Sequence, residues 1–421
     1  MLKAGPLRAF NSKQFRLLWV SSLLSIVSFF MVLVSRGWIV LELTDSPFMV
    51  TAVSAVPMLP ILIASPVGGI AADRISRRLI LVAGDAVSCL SLLILGVLIV
   101  ADAIEVWHIF ALSFLHGLAF ATMMPARMAM VPDVLEASDM ASGVAIFSAV
   151  FSAGMFVGPA PAGLLIENFG VGQTFIIAAA MLVPAVAILF VVNVPRLDPV
   201  GANVGHTSMV ADLVEAMSHI RIRPLLLGLV LMGVVLSAVN MPYQSVLPVF
   251  ARDVLGTGAA GLGYLTTAIG IGALVGSLTV ASAGNDRQLR ILLMAGFLTF
   301  GPLIVAFSIS GVFWLSLLLG FLLGLVTQVT LTSNLTIIQL AVPNYLRGRI
   351  LSIRMIVIGL GPIGMVGLGL GTEILGAQTA LGLMGTASIV LTLILVWAFP
   401  DLHRVEPDTA NAAFSVRPIV R

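Results

Sequence analysis

The chain has 421 residues, of which 59% are hydrophobic and 10% are charged, and its formal net charge at pH 7 is +2. A soluble domain carries about a quarter charged residues, so this composition, with a mean hydropathy of +1.14, excludes a water-soluble globule. The apolar runs are continuous and about 20 residues long, which predicts spanning α-helices rather than the alternating strands of a membrane barrel.

Composition also limits the kinds of site and partner. Cys89 is the only cysteine, so an internal disulfide or a cysteine metal centre is impossible. The basic residues are spread over the ends of apolar segments without forming a stripe, which gives no indication of nucleic-acid binding. We expect no metal and no cofactor.

Twelve spanning helices are predicted, with boundaries good to a few residues. They cover roughly 15–43, 48–71, 78–101, 106–126, 139–166, 172–194, 224–250, 260–283, 289–310, 312–339, 349–375 and 378–399. This pattern divides the chain into a six-helix half at 1–194, a linker at 195–223, a second six-helix half at 224–399 and a tail at 400–421. Within the linker, apolar residues at helical spacing predict an amphipathic helix at 208–222 on the membrane surface.

The positive charges predict the orientation of the helices. They precede helix 1 and lie at the 2–3, 4–5, 6–7, 8–9 and 10–11 connections and in the tail, whereas the other side carries only Arg252. This bias places both termini in the cytoplasm, with the first helix retained as a membrane span.

Arg36 is the one charged residue deep within predicted helix 1, about 10 Å from its outer end. It could snorkel outward or pair with Glu42 or Glu167 near the outer surface. Alternatively, it could face a wet cavity and hold an acidic or electron-rich group of a substrate.

A short charged hairpin joins helices 2 and 3 in the stretch Gly69-Ile-Ala-Ala-Asp73-Arg74-Ile-Ser-Arg77-Arg78. It resembles the G-x-L-A-D-R-x-G-R-R signature of major facilitator superfamily transporters, from which Ala71 and Ser76 depart. The resemblance implies a cytoplasmic gate of Gly69, Asp73, Arg74, Arg77 and Arg78 that closes onto the start of helix 11. There Asp73 would meet the free amides of a helix N-terminus and latch the outward-facing state, and the last two arginines would pair with Asp73 or lipid phosphate.

Helix 5 contains a second motif, Gly154-x-x-x-Gly158-Pro159-Ala-Pro-Ala-Gly163. It is similar to the antiporter signature of the same superfamily, with Ala145 and Ala162 in place of two glycines. Small residues let helices approach closely and Pro159 should kink the helix, so plain helix packing is the alternative interpretation. As an antiporter signature, it implies export rather than import.

One motif is repeated in the two halves, and several motifs resemble one branch of the superfamily. Gly163-Leu-Leu-Ile-Glu167-Asn-Phe-Gly170 parallels Gly369-Leu-Gly-Thr-Glu373-Ile-Leu-Gly376. Three motifs resemble the macrolide-efflux and enterobactin-exporter branch, which also includes lysophospholipid transporters: Leu43-Thr-Asp-Ser46, Pro125-Ala-Arg127 with Val131-Pro-Asp133, and Val342-Pro343 with Leu346-Arg-Gly-Arg349. The resemblance implies an all-α membrane protein of twelve transmembrane helices in two pseudo-symmetric six-helix bundles.

The candidate residues for a substrate or proton path are polar groups in apolar helices: Arg36, Asp85, His116, Asn240, Gln244, Gln328 and Asn334. His116 could relay protons or be a buried neutral histidine bonded to a neighbour. Asn240 and Gln244 are expected in a broken helix 7, and Gln328 and Asn334 in helix 10, where they join helices or line the path.

No carboxylate is predicted near the middle of the membrane, since Asp85 is expected near the inner end of helix 3. This favours neutral or anionic amphiphiles over lipophilic cations as substrates. We therefore expect a multi-pass protein of the bacterial inner membrane that exports a drug, macrolide or siderophore by alternating access, in exchange for protons, with a role in multidrug resistance. Membrane lipid surrounds the protein, and we expect that one copy of the chain is enough to form the transport pathway.

Other functions are possible for a membrane protein of this composition. A lysophospholipid flippase would use Arg36 for the phosphate and need no proton gradient. A receptor or scaffold would need a sensing domain, and the longest hydrophilic segment is the short linker. An ATP-driven pump or a hydrolase is disfavoured because the sequence has no G-x4-G-K-[S/T], H-E-x-x-H or G-x-S-x-G motif.

Overall fold

The computed structural model describes residues 8–60, 76–136, 139–192, 217–342 and 344–402. Within these ranges, 11 helices are long and apolar enough to cross a membrane, and the shorter apolar helix Pro47–Pro60 leads into residues that are not described. The rest of predicted helix 2, the gate residues Gly69, Asp73 and Arg74, and most of the linker lie outside the described residues.

The helices are labelled α1 to α12 in chain order. In the first half they are α1 (Lys13–Thr44), α2 (Pro47–Ala55), α3 (Arg77–Val100), α4 (Val106–Asp133), α5 (Met140–Val157, continued by Pro159–Phe169) and α6 (Val171–Val191). In the second half they are α7 (from Pro224–Val235 onward), α8 (Gly258–Ala281), α9 (Asp286–Ile309), α10 (Phe313–Ala341), α11 (Asn344–Ile358, continued by Gly361–Leu375) and α12 (Ala377–Ala398).

The predicted end of helix 4 at residue 126 is wrong. α4 continues to Asp133, and both Pro125 and Pro132 lie inside it. Proline removes one backbone donor, but membrane helices tolerate it because neighbouring groups satisfy the freed carbonyl. The extension places Arg127 within the helix, where the sequence had suggested a residue at its end.

Both halves contain an irregular helix at matching positions. α5 is interrupted at Gly158 before Pro159, and α11 is interrupted before Gly361-Pro362. The break predicted in helix 7 is also present, because α7 passes through a π-helical segment, Leu236–Asn240, and a 3-10 segment, Met241–Val246. Prolines at 242 and 248 account for these changes of helical pitch.

Close backbone contacts join the two halves along α5 and α8. A Cβ on Gly163 would lie 2.5 Å from the Ala259 carbonyl oxygen, and a Cβ on Gly263 would lie 2.7 Å from the Pro159 carbonyl oxygen. Only glycine permits this approach, since lipid supplies no hydrophobic drive and membrane helices associate through tight packing. α2 and the second part of α11 meet in the related way, and a Cβ on Gly369 would overlap the Thr51 side chain.

We expect Gly163→Ala to lower the thermal unfolding midpoint of the detergent-solubilised protein. The added methyl group would meet backbone atoms of α8 and force the helices apart, at a cost of about 1–3 kcal/mol.

Gly367→Ala is the matched control, because nothing lies within 4 Å of a Cβ at that position in α11. It should leave the midpoint unchanged or raise it slightly, since alanine favours a helix over glycine. Equal midpoints for the two variants would contradict the close-packing interpretation.

Candidate functional site

Charged residues distinguish the two ends of the helical bundle. We call the end with Asp45, Glu167 and Glu373 the acidic end, and the end with Arg77, Arg223 and Arg290 the basic end. The residues of interest lie between these ends in the first half, and across the acidic end between the halves.

Arg36 is bound to His116 inside the first half. Its Nη2 lies 3.0 Å from Nδ1 of His116, and the two residues are only 3% and 4% exposed. A guanidinium can only donate, so Nδ1 is the acceptor and the proton of the neutral imidazole sits on Nε2. Arg36 therefore pairs with neither Glu42 nor Glu167: Glu42 accepts from Trp38 at 2.6 Å, and Glu167 accepts from Ala260.

Asp85 and Arg127 form a buried ion pair. Nη2 of Arg127 lies 2.8 Å from both carboxylate oxygens, and the two residues are 0% and 3% exposed. Asp85 lies eight residues inside α3, about 12 Å from its basic end. The expectation that Asp85 sits close to the inner end of its helix understates its depth, because α4 runs on and carries a compensating cation to meet it.

One narrow cavity lies against His116 and the Asp85–Arg127 pair. It is lined by His116, Asp85 and Arg127 together with Ser25, Ser88 and the aromatic side chains Phe29 and Phe120. His116 and Arg127 are 11 residues apart on α4, which corresponds to about 16 Å along the helix. The cavity has room for water but not for an amphiphile.

Several buried polar atoms of this region have no hydrogen-bond partner among the described residues. They are the hydroxyls of Ser22, Ser88 and Ser113, Nε of Arg36 and Nη1 of Arg127. Buried polar groups are normally satisfied by protein or by ordered water. Of these residues, Ser88 and Arg127 line the cavity, which has room for about one water molecule that could satisfy them.

The two gate arginines that are described bind within their own half. Arg77 donates to Asp133 at 2.8 Å and to the Ala129 carbonyl at 2.9 Å. Arg78 donates to the Phe190 carbonyl and lies 5.7 Å from the centroid of that ring. The extension of α4 brings Asp133 within reach, so Arg77 is paired without Asp73, which lies outside the described residues.

The polar candidates of the second half mainly connect helices. Asn240 accepts a hydrogen bond from Ser388 at 2.8 Å, and Asn334 donates to the Leu229 carbonyl at 2.9 Å. Gln328 donates to Thr332 one turn along α10 at 3.0 Å, and Gln244 is half-buried in the 3-10 segment of α7. Asn240 and Asn334 therefore hold α7 against α12 and α10.

The glycine motif of α5 contacts two helices. A Cβ on Gly154 would lie 2.4 Å from Ile26, and one on Gly158 would lie 2.9 Å from the Val27 carbonyl oxygen, both in α1. Gly163 faces α8 of the other half, as described above. The motif thus sets the spacing within the first half and between the halves.

Sequence reasoning missed three charged residues that the structure brings into use. They are Arg127, which pairs with Asp85, Asp133, which pairs with Arg77, and Arg252, which bonds to Asp45 and to the Leu41 carbonyl across the two halves. Opposite charges in neighbouring apolar helices could have indicated the first pair.

The fold of this multi-pass membrane protein is shared with solved transporters. The nucleoside transporter NupG superposes with a TM-score of 0.70 at 15% identity, over 92% of this chain and 99% of that one. A POT family transporter in complex with 5-aminolevulinic acid gives 0.73 at 13% identity, over 93% and 97%.

Residues 4–418 match the model of a family described as transmembrane secretion effectors, and the chain belongs to this family. The multidrug efflux pump Tap of Mycolicibacterium fortuitum is 26% identical, over 89% of this chain and 92% of its own. The staphyloferrin A transporter of Staphylococcus aureus is 23% identical, over 86% and 90%. Macrolide efflux protein A of Streptococcus pyogenes is 22% identical, over 90% and 95%. These findings confirm the resemblance stated from the motifs.

Asp85→Ala is expected to lower the stability of the folded protein by about 3–5 kcal/mol, because Arg127 would remain buried without its counter-charge. Thermal unfolding in detergent measures the effect. The double variant Asp85→Ala/Arg127→Met should recover most of the loss, since it removes the orphaned cation. A double variant as unstable as the single one would show that the pair does not act as a unit.

Proposed function

We propose that this chain exports a neutral or anionic amphiphilic small molecule by alternating access, with protons as the coupling ion. The match of residues 4–418 to a family of secretion effectors carries the proposal. The relatives are named for moving several drugs, a macrolide and a siderophore, so the class of cargo is an amphiphile rather than one compound.

The charge bias supports a cytoplasmic basic end and an external acidic end. Hydrogen bonds between described residues of the two halves cluster at the acidic end and reach to the middle of α8, where Thr267 donates to the Phe156 carbonyl at 3.2 Å. With this orientation, the structure corresponds to the state that is closed to the outside.

The two buried pairs of the first half support a proton path. A proton taken up at Nδ1 of His116 would remove the acceptor of Arg36 and place a second cation beside it. A proton taken up by Asp85 would remove the charge that holds Arg127. Each uptake breaks one pair, and both His116 and the Asp85–Arg127 pair line a cavity with room for about one water molecule.

The set of buried carboxylates supports a neutral or anionic substrate. Within the described ranges, the carboxylates of Asp85 and Asp133 are buried, and Arg127 and Arg77 already neutralise them. A lipophilic cation would find no free buried acid there to offset the loss of its hydration. Neutral and anionic cargo does not need one.

Transport in proteoliposomes tests the proposal. With an imposed pH gradient, a neutral macrolide or an acidic siderophore should move faster than with the gradient collapsed, and a lipophilic cation should move slowly. Lysophospholipid movement that ignores the gradient would favour a flippase instead. Rapid movement of the cation would contradict the substrate class.

His116→Gln and Asp85→Asn are expected to remove the dependence on the pH gradient while leaving exchange of cargo across the membrane measurable. Both keep the side-chain size and remove the titrating group. The flux ratio with and without the gradient is the readout.

His108→Gln is the matched control, because His108 accepts from the Glu105 amide at 3.0 Å at the exposed start of the same helix, far from the cavity. It should keep the wild-type ratio. Gradient-dependent flux in both test variants would place the proton path elsewhere.

A further inference from the structure

Glu373, near the end of α11, binds the start of α2 in the other half. Its Oε2 accepts from the Phe48 amide at 3.0 Å and from the Ser46 hydroxyl at 2.9 Å. Ser46 is the N-cap of α2, and Pro47 follows it at the first helical position. The carboxylate therefore satisfies one of the amides that a helix leaves free at its N-terminus.

Glu167, near the end of α5, makes the corresponding contact with α8. Its Oε2 accepts from the Ala260 amide at 3.2 Å. Thr257, the N-cap of α8, makes no side-chain cap bond of its own. The capping group of α8 is thus supplied by the other half.

The two contacts are related by exchange of the halves. Each glutamate lies four residues after a glycine, Gly163 or Gly369, that touches the same partner helix. These are the residues that align in the internal repeat of the sequence. Two independent contacts of the same kind, at the same place in each half, indicate a shared role.

The physical effect of each contact is to favour the closed acidic end. A carboxylate at a helix N-terminus gains from charge-assisted hydrogen bonds and from the helix dipole. Both contacts cross the halves, so both break when the acidic end opens.

We propose that Glu167 and Glu373 form a paired latch that holds the acidic end closed. Each carboxylate stabilises a helix N-terminus of the other half only while that end stays closed. The latch rests on these contacts and not on the proposed coupling ion.

Other charged groups at this end behave differently. Glu42 lines the same cleft as Glu167 but bonds to Trp38 in its own helix. Arg252 joins Asp45 across the halves and Asp253 beside it, so this contact has its own cation. Glu42→Gln is therefore the matched control for the loss of a carboxylate that does not cross the interface.

Distance measurements between two spin labels test the latch in the full-length protein in nanodiscs. Cys89→Ala removes the only native thiol, and Ala103→Cys and Val312→Cys place labels on exposed turns of the two halves at the acidic end. Glu167→Gln/Glu373→Gln removes both charges at nearly constant side-chain size, and each single variant tests one cap.

We expect the double variant to raise the open-to-closed ratio about tenfold at about pH 7.5. The wild type and Glu42→Gln should stay mainly closed under the same conditions. A double variant with the same distances as Glu42→Gln would overturn the latch.

The distance measurements and the transport assay test different proposals, and either can fail without the other. Gradient-driven export by the wild type together with unchanged distances in the double variant would contradict the latch alone. Opening of the double variant, with no gradient-driven flux in wild-type liposomes, would keep the latch and remove the proposed coupling.

Discussion

The approach of α5 to α8 at Gly163 and Gly263 determines how the halves meet. Because carbonyl oxygens lie within 3 Å of where a Cβ would stand, the two backbones touch without side chains between them. Lipid gives helices no hydrophobic reason to associate, so contact of this kind supplies the attraction. This contact also positions the end of α5, and Glu167 therefore reaches the first turn of α8.

The two halves share an arrangement of helices but differ in their buried polar groups. The first half buries two arginines, an aspartate and a histidine, arranged as Arg36 with His116 and Arg127 with Asp85. The second half uses neutral amides such as Asn240 and Asn334 to join its helices. Under the proposed proton coupling, the charged pairs would make the first half the one that takes up protons.

Much of the architecture followed from the sequence, because apolar runs separated by charged turns leave little choice of fold. The broken α7 followed from Pro242, and the close packing of α5 from Gly154, Gly158 and Gly163. The end of α4 did not, because proline inside a lipid-surrounded helix does not stop it. The partner of Arg36 depends on how neighbouring helices rotate, which no local pattern reveals.

The paired caps give the interface the geometry of a symmetric dimer built within one chain. In a dimer of identical six-helix subunits, one glutamate would form both contacts, and a single substitution would remove both together. In a fused chain the two positions change independently. Here Glu373 binds an amide and a hydroxyl, whereas Glu167 binds an amide. Fusion of two such halves thus permits one side of a gate to be made stronger than the other, so that opening has a preferred order.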